Sequence, residues 1–350
     1  MLTVSSRVLS LSAEAAVLVR GGRVVYANAK AEGLLGADCV GKPLRELFSR
    51  EIVEAQAAVF TADTEIAGKR LNLRTAKLDD MQAFFIAPVE LPPALINDAF
   101  LYAMRSALMN LHLSADLGRS RAEETRDEEL GRLLCSLQRD IARISRLLEN
   151  AAVVRGIAVG ELAVSKEAMD LAALCRSTVE AVSLLRRDVC FSFGCDGPVC
   201  LYADRVLIAQ LLHNLIANAL VHAEGCTKIA VSLIPTQTQV ILSVSDDGCG
   251  VGEEMMGHVF ERYRSGFSLD SLDRGAGLGL SVVRGIAQAH EGTLMLESRP
   301  GGTSVRVSLA RGNCPAVLRR PEDETPDMRA LLAGLSVCLP PECFDARYLD

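Results

Sequence analysis

Asn214, Asn218 and His222 stand four residues apart, so on a helix all three project from one side. Solvated helix faces normally carry Lys and Glu, which form helices better than Asn. Two asparagines in register beside the apolar positions Leu207, Ile208, Leu211, Leu212, Leu215 and Ile216 therefore suggest a lined pocket. An Asn218 carbonyl oxygen suits Mg²⁺, which takes oxygen ligands and shares them with phosphates, and His222 can contact a phosphate. Downstream, Asp246-Asp247-Gly248-Cys249-Gly250-Val251-Gly252 closes an apolar run, and a second glycine turn follows at Gly275-Ala276-Gly277-Leu278-Gly279. Glycine lets backbone amides approach a ligand, and amides at a loop-to-helix junction favour phosphate oxygens. The combination points to a nucleotide pocket.

The elements that position these residues are legible from periodicity. Residues 157–312 alternate helical patterns at 170–187 and 204–222 with strands near 189–194, 199–202, 227–234 and 239–245. A helix over about 279–290 and strands near 293–297 and 303–309 close this α/β domain. Asp204 is placed to cap the asparagine helix. Residues 91–156 predict two long helices. One carries Phe100, Met104, Leu108 and Leu111; the other carries Leu130, Leu134, Leu137, Ile141, Ile144, Leu148 and Ala151 at heptad spacing. A charged link, residues 118–127, is expected between them. Such a hairpin buries little alone, so pairing with a second copy as a four-helix bundle, a homodimer, is expected. Residues 1–90 predict an α+β module with a hairpin about Gly21-Gly22 and strands near 69–74 and 81–86. Residues 313–350 read as a linker and tail with a short amphipathic segment at 328–332.

Composition narrows the function classes. The chain has 350 residues, a net charge of −7, 23% charged residues and no tryptophan. No basic run is present, which argues against a nucleic-acid surface. No apolar stretch reaches the ~18–20 residues of a membrane span, and Met1–Ser6 lacks a basic segment ahead of an apolar one. A cytoplasmic protein is expected. Cys190, Cys195 and Cys200 are separated by four residues each, without a Cys-x-x-Cys pair, so the cysteines are expected to be small buried hydrophobes rather than disulfides or zinc ligands.

The ordered motifs resemble those of sensor histidine kinases. Residues 211–220, Leu-Leu-His-Asn-Leu-Ile-Ala-Asn-Ala-Leu, look like their asparagine box. Asp246 to Gly250 resembles the first glycine box, Val259 to Arg264 the phenylalanine box, and Gly275 to Gly279 the second glycine box, with Gly301-Gly302-Thr303 at the final hairpin. Val24 to Asn28 and Gly41 to Leu44 resemble a PAS sensor. The resemblance implies an α+β multidomain chain: a PAS-like sensor, a helical hairpin forming a dimeric four-helix bundle, and an α/β sandwich binding ATP with Mg²⁺. It implies that Asp246 accepts from the adenine amino group, that Gly248 and Gly250 leave room for base and ribose, and that Gly277 and Gly279 present amides to the phosphates. Phe260, Gly275, Leu278 and Thr303 join Asn214, Asn218 and His222 along the site, with Arg262 or Arg264 as the cation near the phosphates.

One position departs from that pattern. The resemblance puts Ser106 where the family carries its acceptor histidine and Ala107 where it carries the following acid. A serine hydroxyl is a weak nucleophile without a base. His112 is the only histidine of the two bundle helices and is the alternative acceptor. The expectation is a degenerate kinase that couples a sensor to a bundle and a signalling partner. The alternative is an autokinase that uses His112 and passes phosphate to a response regulator.

Overall fold

Two consecutive glycines set the first turn: Gly21 and Gly22 take φ of 57° and 73°, which joins β1 (Ala15–Arg20) to β2 (Arg23–Ala27) as a tight hairpin. The computed structural model describes residues 14–48, 50–53, 59–66, 69–78, 80–88, 98–223, 225–251, 278–312 and 326–345. Asn28 then starts α1 (Ala29–Leu35): its Oδ1 accepts from Ala31 N at 2.9 Å and from Ala16 N at 3.0 Å, pinning the helix to β1. Strands β3 (Phe60–Ile66), β4 (Lys69–Leu78) and β5 (Met81–Pro88) complete an antiparallel sheet in the order β2-β1-β5-β4-β3. Phe48 stacks on Phe84, and Phe60 meets Phe84 edge-on, at the centre of its core.

A helical hairpin follows, α2 (Asp98–Thr125) and α3 (Glu128–Ala158). The link expected at 118–127 is helical almost to its end. The Arg121–Glu124 ion pair and the Thr125 hydroxyl bonding back to the Arg121 carbonyl continue the helix. Gly118 lets Leu134 approach closely. The chain turns only at Arg126, with φ 54°, and Asp127 caps α3. The buried seam is also rotated from the expected one. Leu101, Leu108 and Ala115 pack on Ile141 and Leu148, with Met104 beside them, while Phe100, Leu111, Leu137 and Ile144 are exposed.

The rest builds an α/β body from β6 (Glu167–Asp170), α4 (Leu171–Leu185), β7 (Cys190–Gly194), β8 (Cys200–Ala203), α5 (Arg205–His222), β9 (Lys228–Pro235), β10 (Gln239–Asp246), α6 (Gly279–Ala289), β11 (Leu294–Arg299) and β12 (Gly302–Ala310). Local chemistry fixes the helix starts. Asp170 caps α4, and Asp204 caps α5. Asp204 N donates to His290 Nε2, so His290 donates through Nδ1 to the Ile286 carbonyl. Cys200 is disulfide-bonded, against expectation; spacing along the chain does not report which residues the fold brings together.

Two joins tie the parts together. Strand β3 pairs with β11 (Ala62 with Met295, Thr61 with Leu296, Phe60 with Glu297), which continues the first sheet into the order β11-β12-β10-β9-β7. The Met295 side chain enters the core of the first module. Residues 326–345, with α7 (Met328–Gly334), dock on the body: Leu331, Leu335 and Phe344 join its main core. Arg143 on α3 and Arg186 after α4 donate to the Ser336 and Cys338 carbonyls. No described helix is long and apolar enough to cross a membrane.

Gly334 sits against His213 so closely that a Cβ there would lie 2.6 Å from the His213 Cβ. Burial lowers the pKa of His213 from 6.5 to about 4. The folded protein therefore binds fewer protons than the unfolded chain between these values, and stability falls as pH drops through 6.5 towards 4. The expected loss between pH 7 and pH 5 is about 2 kcal/mol. Denaturant titrations at the two pH values check it, with His213→Gln expected to flatten most of the slope and His290 to retain the remainder.

Candidate nucleotide-binding site

The asparagine helix α5 presents three unlike environments along one stripe. Asn214 is buried and fully engaged: its Nδ2 donates to Asn150 Oδ1 at 3.1 Å and to the Gln210 carbonyl at 2.9 Å. Its Oδ1 accepts from Arg146 Nη2 at 3.1 Å and Asn150 Nδ2 at 3.2 Å. Both partners come from α3, so Asn214 holds the helical hairpin. One turn on, the Asn218 Nδ2 is buried without a hydrogen-bond partner. At the end of the helix His222 is exposed.

Asn218 faces the N-terminus of α6. A Cβ on Gly279 would stand 3.1 Å from Asn218 Oδ1 and 3.4 Å from Asn214 Oδ1, so a larger residue would push the asparagine side chains back from the helix end. Leu278 precedes it as the helix cap, without a side-chain bond. The amides of such an end, together with an orphaned amide nitrogen, form a donor set for an anion.

The acidic pair at the end of β10 divides its labour. Asp246 Oδ1 accepts from Gly248 N at 3.0 Å and Thr303 N at 3.2 Å, and Oδ2 has no partner among the described residues. Partial burial raises the Asp246 pKa, opposed by those two amide bonds. Asp247 turns the other way and accepts from Thr227 N, Thr227 Oγ1 and Lys228 N. These bonds hold its pKa well below the usual carboxylate range. Asp247 fixes the start of β9; Asp246 is the carboxylate with a lone oxygen to offer. Glycines set the space around it. A Cβ on Gly248 would lie 2.6 Å from that of Ala223, and one on Gly250, at φ 78°, would lie 2.2 Å from the Arg299 carbonyl. Thr303 Oγ1 meets Ser298 Oγ, which accepts from Val251 N.

Asn218, Asp246, Gly248, Gly250, Leu278, Gly279 and Thr303 thus occupy the ends of α5, β10 and α6 and the last hairpin. Phe260, Arg262, Arg264, Gly275 and Gly277 lie outside the described residues. On the hairpin, Ser106 is exposed on α2. His112 is half-buried, and burial lowers its pKa against the opposing charge of Asp116. Arg146 and Asn150, which hold Asn214, were not foreseen. Their signal is a polar pair four residues apart inside the heptad helix.

Residues 203–313 match the family described as histidine kinase-, DNA gyrase B- and HSP90-like ATPase. This stretch therefore carries the ATPase domain that histidine kinases share. It is 36% identical over 63 residues to the sensor protein GtcS of Aneurinibacillus migulanus, covering 18% of this chain and 17% of that protein. It is 26% identical over 226 residues to the sensor protein IrlS of Burkholderia pseudomallei, covering 63% and 47%. The chain thus spans less than half the length of these curated relatives. A solved catalytic domain of the histidine kinase ThkA aligns at 28% identity, over 42% of this chain and 96% of that one, with a TM-score of 0.36. The kinase family's ATPase domain uses ATP, and the acidic pair gives that a sharp test. Asp246→Asn is expected to weaken ATP binding at least about tenfold, the order of one charge-assisted bond. Asp247→Asn is expected to lower Tm while leaving affinity within about twofold. Calorimetric titration and thermal melting of the two variants check both.

Proposed function

We propose that the chain binds Mg-ATP between Asp246 and Asn218, and couples a PAS-like sensor, residues 1–90, to a dimeric helical bundle as a degenerate member of the kinase family. The observation that carries the reading is the pairing of Asp246, held at Oδ1 with Oδ2 unclaimed among the described residues, with the Asn218 amide nitrogen, likewise without a partner among them, facing the glycine end of α6. Asp246 Oδ2 is suited to the adenine amino group, Gly248 and Gly250 to the base and ribose, and the Gly279 end of α6 to phosphate oxygens. The donor set fits the metal as well: Asn218 Oδ1 is a hard oxygen ligand beside that phosphate-binding end. When bound, the magnesium ion shares phosphate oxygens and neutralises their charge. His222, Arg262 or Arg264 would add cationic or donor contacts.

Dimerisation through the hairpin is supported by its outward face. Tyr102, Met109, Leu113 and Leu117 on α2 and Leu133, Leu137 and Ile144 on α3 are exposed apolar side chains, an area suited to a second copy in a four-helix bundle. The proposed setting is cytoplasmic, and the proposed partner is a response regulator or another signalling protein. Degeneracy rests on Ser106, an exposed hydroxyl at the acceptor position. An autokinase using His112 is the second reading: burial lowers the pKa of this imidazole and keeps it neutral, with the Asp116 carboxylate one turn along opposing that shift.

Incubation with γ-labelled ATP and Mg²⁺ separates the two. The degenerate reading expects ATP binding and no acid-labile label on the protein. Acid-labile label that disappears in His112→Ala would establish the autokinase instead. Absence of ATP binding would overturn both.

A further inference from the structure

Between α2, α3, α5 and the start of α7 lies a cleft of about 790 Å³, the size of a small-molecule site. Among the described residues assigned above to the nucleotide, only Asn214 reaches its wall. Four arginines (Arg105, Arg146, Arg155 and Arg205) line it against three carboxylates, Glu149, Glu161 and Asp327. Arg146 is the informative member. It is 5% exposed, its Nη2 donates to Asn214, and its Nε and Nη1 meet no acceptor.

No carboxylate of the cleft compensates it. Burial lowers the Arg146 pKa, and the only opposing influence is the Cys338 thiol, which burial keeps protonated with a pKa of about 12. Glu149, on the open side, answers to Arg105 instead. A guanidinium keeps its charge even when buried, and a buried charge without a partner is strongly destabilising. Each of these N–H-bearing nitrogens is a charge-assisted donor suited to an oxygen of a carboxylate or phosphate.

We infer that this cleft binds a small anionic ligand, phosphate- or carboxylate-bearing, whose acid group pairs with Arg146 while Arg105 stands at the mouth. The side-chain amides of Asn150 and Gln210, which bond to each other while Asn150 also bonds Asn214, supply neutral partners for the rest of the ligand. Because Arg146 also holds Asn214, anion and nucleotide share a node, and occupancy of one alters affinity for the other reciprocally.

The test uses the full chain, melted in inorganic phosphate, pyrophosphate or succinate against chloride at matched ionic strength, which also tells phosphate from carboxylate. The wild type is expected to gain several degrees of Tm in at least one anion at millimolar concentration. Arg146→Met is expected to melt at or above the wild type in chloride, having lost the uncompensated charge, and to gain nothing from that anion. Glu149→Gln, which removes a like charge from the wall, is expected to bind the anion at least threefold more tightly. No shift with any of the three anions would overturn the inference, as would an equal shift in Arg146→Met. If Arg146→Met does not fold, unchanged anion affinity in Glu149→Gln overturns it alone.

Discussion

A single buried amide joins the helical hairpin to the ATPase body. Asn214 offers two donors and a carbonyl with two lone pairs, and all are used: Asn150 on both sides, Arg146 on one and the Gln210 carbonyl on the other. A buried amide left with an unmade bond costs about 1–3 kcal/mol, so α3 cannot slide along α5 without breaking this set together. Gly285 adds a steric counterpart: a Cβ there would overlap Ile157 of α3, so α6 is also held close to the hairpin. The docked segment 326–345 covers the same junction, with Gly334 on His213 and the Ser336 carbonyl on Arg143. Hairpin, asparagine helix and C-terminal segment therefore form one packed joint, and the stripe that begins in this joint ends at the proposed phosphate site.

The second join is a backbone ladder. From β3 the hydrogen bonds pass to β11, from β11 to β12, and from the start of β12 the Thr303 amide reaches the Asp246 carboxylate. The first module is thus contiguous with the residue proposed to read adenine, while the hairpin is contiguous, through Asn214, with the helix that carries Asn218, proposed to hold the metal. Two packed routes therefore meet the proposed nucleotide site from opposite ends.

Much of this was legible in the sequence where the determinants are local. The Gly21-Gly22 hairpin, the cap Asp204, and the strands bracketing Asp246 all follow from residues within a few positions of each other. What escaped depends on distant partners. Strand β3 is ordered by pairing with β4 and with β11, more than two hundred residues away. The seam of α2 turned towards Leu101 because the face that Ile141 and Leu148 present, not the heptad alone, selects it. Asp246 and Asp247 look alike until Thr227 and Thr303 arrive from other strands to separate them. Arg146 and Asn150 carried a polar signal within an apolar heptad, but their partner Asn214 lies on another element. The spacing of Cys200 gave no sign of its disulfide for the same reason.

The central claim is that the hairpin and the nucleotide site share the Asn214 node. The most direct measurement is a calorimetric titration of Mg-ATP into the wild type and into Asn150→Leu, a residue assigned no contact with nucleotide. A several-fold change in affinity, on the order of 1 kcal/mol, is the expected result, because Asn214 loses one of its two partners on each side. Identical affinities, with the variant still folded, would contradict the account.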